Sequence, residues 1–116
     1  MNDSKFPSDI VSSRQVVGVA VKSPAEEDLG KIEEIMLDKF SGTVRYAVLS
    51  FGGFLGMGDK LFAIPWKSFS YNPEFEAFIL NVSKEKLENA PGFDKDHWPN
   101  ANDLSWSESI SKYYDV

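Results

Sequence analysis

Thr43-Val44-Arg45-Tyr46-Ala47-Val48-Leu49-Ser50-Phe51 is the clearest strand in the chain. β-branched and aromatic side chains suit a pleated surface, and no Gly or Pro interrupts the run. Just before it, Phe40-Ser41-Gly42-Thr43 predicts a hairpin turn in which Gly42 supplies positive φ. The hairpin partner, Lys31 to Lys39, carries two periodicities. Leu29, Ile32, Met36 and Phe40 fit a helix face, whereas Ile35 and Leu37 fit a strand face. The segment reads as a strand with an irregularity.

Other strands lie on both sides. Val16-Val17-Gly18-Val19-Ala20-Val21 has strand length and is apolar on both faces, with Gly18 marking a bend or a close backbone approach. Ser23 to Gly30 reads as an acidic loop ending at a turn glycine. Gly52 to Lys60 is a loop with four glycines. Leu61 to Ile64 is a short strand stopped by Pro65, and Trp66 to Tyr71 continues as a bent or edge segment. Asn72-Pro73-Glu74 signals a turn before the strand Ala77 to Val82. Ser83 is placed to cap a short helix over Lys84 to Asn89, which Pro91-Gly92 ends. Residues 92–103 read as irregular. Trp106, Ile110 and Tyr113/Tyr114 recur at helical spacing.

These readings predict a mainly β fold: a small, partly open antiparallel β-barrel with short C-terminal helices. Residues 1–13 form a flexible polar arm, 14–82 the β core, and 83–116 short helices and loop packing on the barrel. Ten of the 16 aromatic residues fall between Phe40 and Phe78, which places a packed, β-rich centre there.

Charge and cysteine content remove several function classes. Eighteen acidic against twelve basic residues give a net charge of −6. An acidic chain has no broad attraction to a phosphate backbone, so direct nucleic-acid binding is not expected. The absence of Cys excludes disulfides, thiolate metal sites, iron–sulfur clusters and Cys nucleophiles. No stretch resembles a signal peptide or approaches the length of a membrane span, so a soluble, cytoplasmic protein is expected.

Motifs for chemistry fail one by one. Gly53 and Gly58 have the glycine spacing of a phosphate loop, but Asp59-Lys60-Leu61 follows, which puts an acid in place, the Lys one position late and no hydroxyl for magnesium. His97 is the single histidine. The oxygen-rich stretch Asp94 to Asp103 departs from a calcium loop at Trp98, Pro99 and Ser105. The carboxylates Glu26, Glu27, Asp28, Glu33 and Glu34 read as a solvated acidic face. No Gly-x-Ser-x-Gly elbow is present. The expectation is a protein that is not an enzyme and holds no cofactor and no metal. Phe54, Leu55 and Met57 on the glycine loop are costly to leave in water, so the core or a partner must cover them. With Trp106, Tyr113 and Tyr114 of the tail they form the candidate interaction surface. For the tail, docking onto the barrel and contact with a second chain are compatible if one ring stays spare.

The run Val44 to Trp66 resembles the PRC-barrel domain proteins, and so do Leu87-Glu88-Asn89-Ala90-Pro91-Gly92-Phe93-Asp94-Lys95-Asp96-His97-Trp98-Pro99 and the tail from Trp106 to Tyr114. The Gly18 strand and the Leu29-Gly30-Lys31-Ile32 turn also fit. The resemblance spans about residues 14 to 114. It implies a small, partly open β-barrel like the cytoplasmic domain of the photosynthetic reaction-centre H subunit. The C-terminal domain of a ribosome-maturation factor is similar. In both settings such a barrel docks proteins rather than catalysing. This chain looks like the stand-alone bacterial type. That type implies no settled biochemical activity; the resemblance, the apolar glycine loop and the aromatic tail together lead to the expectation of a non-enzymatic protein–protein interaction or adaptor module, a homodimer with an unidentified protein partner. Two alternatives stand beside it: a barrel binding a small quinone- or nucleotide-like ligand, with Trp66 and Trp98 as reporters, and a ribosome- or RNA-processing accessory acting through a protein partner.

Overall fold

The computed structural model describes residues 9–52 and 59–116. Among them the elements run α1 (Ser13–Val16), β1 (Ala20–Lys22), β2 (Asp28–Leu37), β3 (Val44–Gly52), β4 (Asp59–Pro65), a 3₁₀ turn (Trp66–Ser68), β5 (Phe69–Asn72), β6 (Ala77–Leu80), α2 (Lys84–Glu88) and α3 (Leu104–Tyr114). One sheet joins the strands in the order β4-β3-β2-β1-β6-β5.

That order forces the sheet to curl. β4 and β5 are its opposite edges, yet only Trp66–Ser68 separates them in sequence. Flat, six strands would hold their outer members about 24 Å apart at roughly 4.8 Å per neighbour. Three linking residues reach no further than about 14 Å. The edges must approach one another, which makes the sheet a half-barrel with the 3₁₀ turn at its corner. The bent segment expected over Trp66 to Tyr71 is this corner. Trp66 packs there against Phe69 at 5.9 Å and Phe78 at 5.6 Å.

The corner also corrects one expectation. Neighbours β1/β2, β2/β3, β3/β4 and β5/β6 are antiparallel, but β1 and β6 are parallel, with Val21 beside Phe78. The chain passes from β4 to β5 without reversing, so the reversals between β1 and β6 are even in number. The sheet is therefore mixed rather than wholly antiparallel.

Two further corrections concern glycines. The run from Val16 to Val21 is not one strand. Ser13–Val16 is a helical turn in which the Gln15 Oε1 accepts from the Ser12 N–H. Gly18, at φ +92°, then turns the chain and leaves Val17 exposed. Gly30 does not end a loop. It lies inside β2 at φ +111°, where an added Cβ would overlap the Ser50 carbonyl oxygen. The expected irregularity in β2 is present as register shifts between Ile32 and Glu34 and between Met36 and Leu37. Gly42 takes the positive φ expected of the hairpin turn.

Tyr46 to Ser50 and Leu61 to Pro65 are buried without alternation. Both faces of β3 and β4 are covered. Ala47, Leu49, Phe62 and Ile64 join Leu29, Ile32, Val21 and Leu80 in the core. Tyr46 lies on the other face of β3, and Trp106 of α3 stacks on it at 5.3 Å. α2 begins at the predicted cap, with Ser83 Oγ accepting from the Lys86 N–H at 3.1 Å, and buries Leu87. Glu27 reaches the same end, its Oε1 accepting from the Lys84 N–H at 3.3 Å. After Gly92, Phe93 exchanges two backbone bonds of 2.8 Å with Leu61 on the outer edge of β4.

Candidate interaction surface

The six residues singled out by sequence divide into two groups. Phe54, Leu55 and Met57 lie outside the described residues. At the base of their loop, Gly52 at φ +107° pairs with Asp59, and Phe51 pairs with Lys60. Phe51 packs on Phe62 at 6.5 Å, while Lys84 Nζ lies over the Phe51 ring at 5.9 Å.

The tail residues are held by the barrel. Asp103 caps α3 by accepting from the Ser105 and Trp106 N–H groups. Trp106 is half-buried against Tyr46. The Tyr113 hydroxyl donates to the Lys86 carbonyl at 2.6 Å, with Lys86 Nζ over its ring at 5.4 Å. Tyr114 is buried, and its hydroxyl finds no hydrogen-bond partner among the described residues. Burial pushes its pKa well above the ordinary tyrosine value. α3 thus docks on the half-barrel through Trp106, Ile110 and Tyr114, with Tyr113 tied to α2.

The most exposed large apolar side chain among the described residues stands elsewhere, on the tip of the β2–β3 hairpin. Phe40 is 93% exposed and Leu37 57%. The tip is firmly built. Asp38 Oδ1 accepts from the Phe40 N–H at 2.9 Å and the Ser41 N–H at 3.2 Å, and the Gly42 N–H donates to the Asp38 carbonyl at 2.7 Å. The Phe40 and then the Ser41 N–H hold the Asp38 carboxyl below its usual pKa, and Arg45 stands 3.6 Å from it. The packed centre expected from Phe40 to Phe78 does not take in Phe40 itself. The signal was available: a large ring at a turn position, two residues before a glycine, has no strand face to occupy.

The other perturbed carboxyls serve local turns. The His97 ring bonds Asp94 Oδ1 at 2.6 Å and holds that carboxyl low, and the Ser105 hydroxyl does the same for Asp103. Among the described residues, His, Asp and Glu nowhere gather in the threes that a metal ion needs. The two tryptophans named as ligand reporters are occupied by rings of the protein, Trp66 by Phe69 and Phe78, and Trp98 by Phe93 at 5.0 Å. No described helix is long and apolar enough to cross a membrane.

A curled mixed sheet closed at one corner and backed by a C-terminal helix defines a small half-barrel domain. The profile of the PRC-barrel domain matches residues 8–87, and the chain belongs to that family. The matched stretch holds every described strand, while α3 lies beyond it. No curated protein matches the sequence.

Proposed function

We propose that this chain is a non-enzymatic protein-interaction module that associates with itself and docks a protein partner in the cytoplasm. The observation that carries the reading is the contrast between a filled interior and an exposed ring. Leu29, Ile32, Leu49, Ile64 and Leu80 are fully buried, while Phe40 stands in solvent on a braced hairpin. Phe40 does not stand alone, because the exposed Leu37 lines the same cleft beside it, and a contiguous apolar patch with a polar rim marks a contact surface. The perturbed carboxyls Asp38, Asp94 and Asp103 all accept hydrogen bonds from neighbours within their own turns, so none is poised as a catalytic acid or base. Multi-angle light scattering of the purified chain over a wide concentration range tests the reading. Growth in mass toward twice the 13.0 kDa chain is expected. A monomer at every concentration removes self-association.

A further inference from the structure

The hairpin tip is both a projection and a hollow. Beside the Phe40 ring lies a cleft of about 330 Å³ whose apolar walls include Met36, Leu37, Tyr46 and Ala101, and Phe40 itself forms part of the lining. We propose that this tip is a two-fold contact between two copies of the chain, each Phe40 ring entering the cleft of the other. The proposal rests on the interaction-module reading and gives it a surface.

Shape supports a second copy as the occupant. An isologous interface needs one patch that is complementary to itself. A ring and an apolar hollow side by side meet that condition, because a two-fold rotation carries each ring over the other hollow. The two rings then meet as an aromatic pair, each able to bury about 150–250 Å².

Charge selects the same partner. Over the whole chain acids outnumber bases, 18 to 12. Among the groups lining the cleft the ratio reverses, with Asp38 against Lys39 and Arg45. Two copies carrying −6 each repel one another generally. At this patch the general repulsion is locally offset, and a two-fold pairing sets the Asp38 of one copy against the cations of the other. The tip is also preorganised by its backbone bonds, which lowers the ordering cost of association. The patch is small beside the roughly 800 Å² per partner of a standard interface, so a weak, concentration-dependent dimer is expected.

Sedimentation velocity of the full chain, with circular dichroism as the folding control, tests the proposal. The wild-type chain is expected to dimerise, and Phe40→Asp and Leu37→Asp each to weaken dimerisation at least tenfold. Phe54→Asp combined with Leu55→Asp tests the glycine loop as the rival contact, and Phe75→Asp, at an exposed ring between β5 and β6, is expected to leave dimerisation unchanged. Phe40→Ala serves as the milder variant if a charge disturbs the turn, and must weaken the dimer in the same direction. A wild-type monomer throughout overturns both this contact and the self-association reading. A dimer that survives the Phe40 and Leu37 changes, or dissociates only with the Phe54/Leu55 variant, overturns the hairpin contact alone.

Discussion

Gly30 sets the distance between β2 and β3. Its φ of +111° and the Ser50 carbonyl against its α-carbon leave no room for a methyl group. Gly30→Ala is therefore expected to destabilise the fold by about 3 kcal/mol or more, since backbone strain and backbone overlap act together. A urea midpoint giving a loss under about 1 kcal/mol would show that the strands slide apart cheaply. Tyr114 makes a second test. Its buried, unpartnered hydroxyl opposes folding, so Tyr114→Phe is expected to be neutral or to stabilise by about 1 kcal/mol. The pH dependence has a definite sign. The folded pKa is raised above the unfolded value near 10, so at high pH the unfolded chain loses this proton first and stability falls as pH rises past about 10. The difference in stability between wild type and Tyr114→Phe should grow there by up to about 1.4 kcal/mol per pH unit. A constant difference between pH 9 and pH 11 would contradict the burial of this hydroxyl. The helical spacing of Trp106, Ile110 and Tyr114 was legible as one apolar face. Which ring went deepest was not, because Tyr113 and Tyr114 are adjacent and either suits the stripe.

At the scale of elements, the hairpin and the caps were legible because their causes are local. Gly42 supplies the turn, Ser83 caps α2, and Asp103 caps α3. The break at Gly18 was not, because β-branched valines favour a strand on either side of it. What turns the chain is the pairing of the Gly18 N–H and the Val19 carbonyl with Ile32, a long-range contact. The strap at Phe93 was also invisible. It pairs with β4 through backbone atoms, for which side chains give no code, and it shields part of an edge strand that otherwise invites pairing with another chain. Gly92 permits the close approach: a Cβ there would stand 2.9 Å from the Leu61 carbonyl oxygen and 2.9 Å from the Phe62 ring. Gly92→Val is expected to lift the strap. By hydrogen exchange the Leu61 amide, which donates to Phe93, should then exchange at least tenfold faster, while the Leu49 amide in β3 keeps its protection. Unchanged Leu61 protection would show that another group shields that edge.

For the whole molecule, the decisive step is the return of the chain from β4 to β5 across the corner, which brings the two sheet edges together. α3 completes the result by packing against β4 and over Tyr46 of β3, whose ring meets Trp106. A chain ending at Asp103 should therefore expose Tyr46 and the apolar surface around it, bind a hydrophobic dye and aggregate. A monodisperse, dye-silent truncation would show that the half-barrel needs no cover. The sequence by itself determined the strands, turns and caps, and the resemblance of its central run to the PRC-barrel proteins, because turn chemistry and β-branched runs act over a few residues. It also determined the acidic balance and the absence of thiol chemistry, which are matters of count. Only the tertiary structure decided that the sheet is mixed, that the tail rings serve the barrel, and that Phe40 stands in water. Those outcomes depend on which surfaces meet across the curled sheet, and burial is a property of the meeting rather than of either segment.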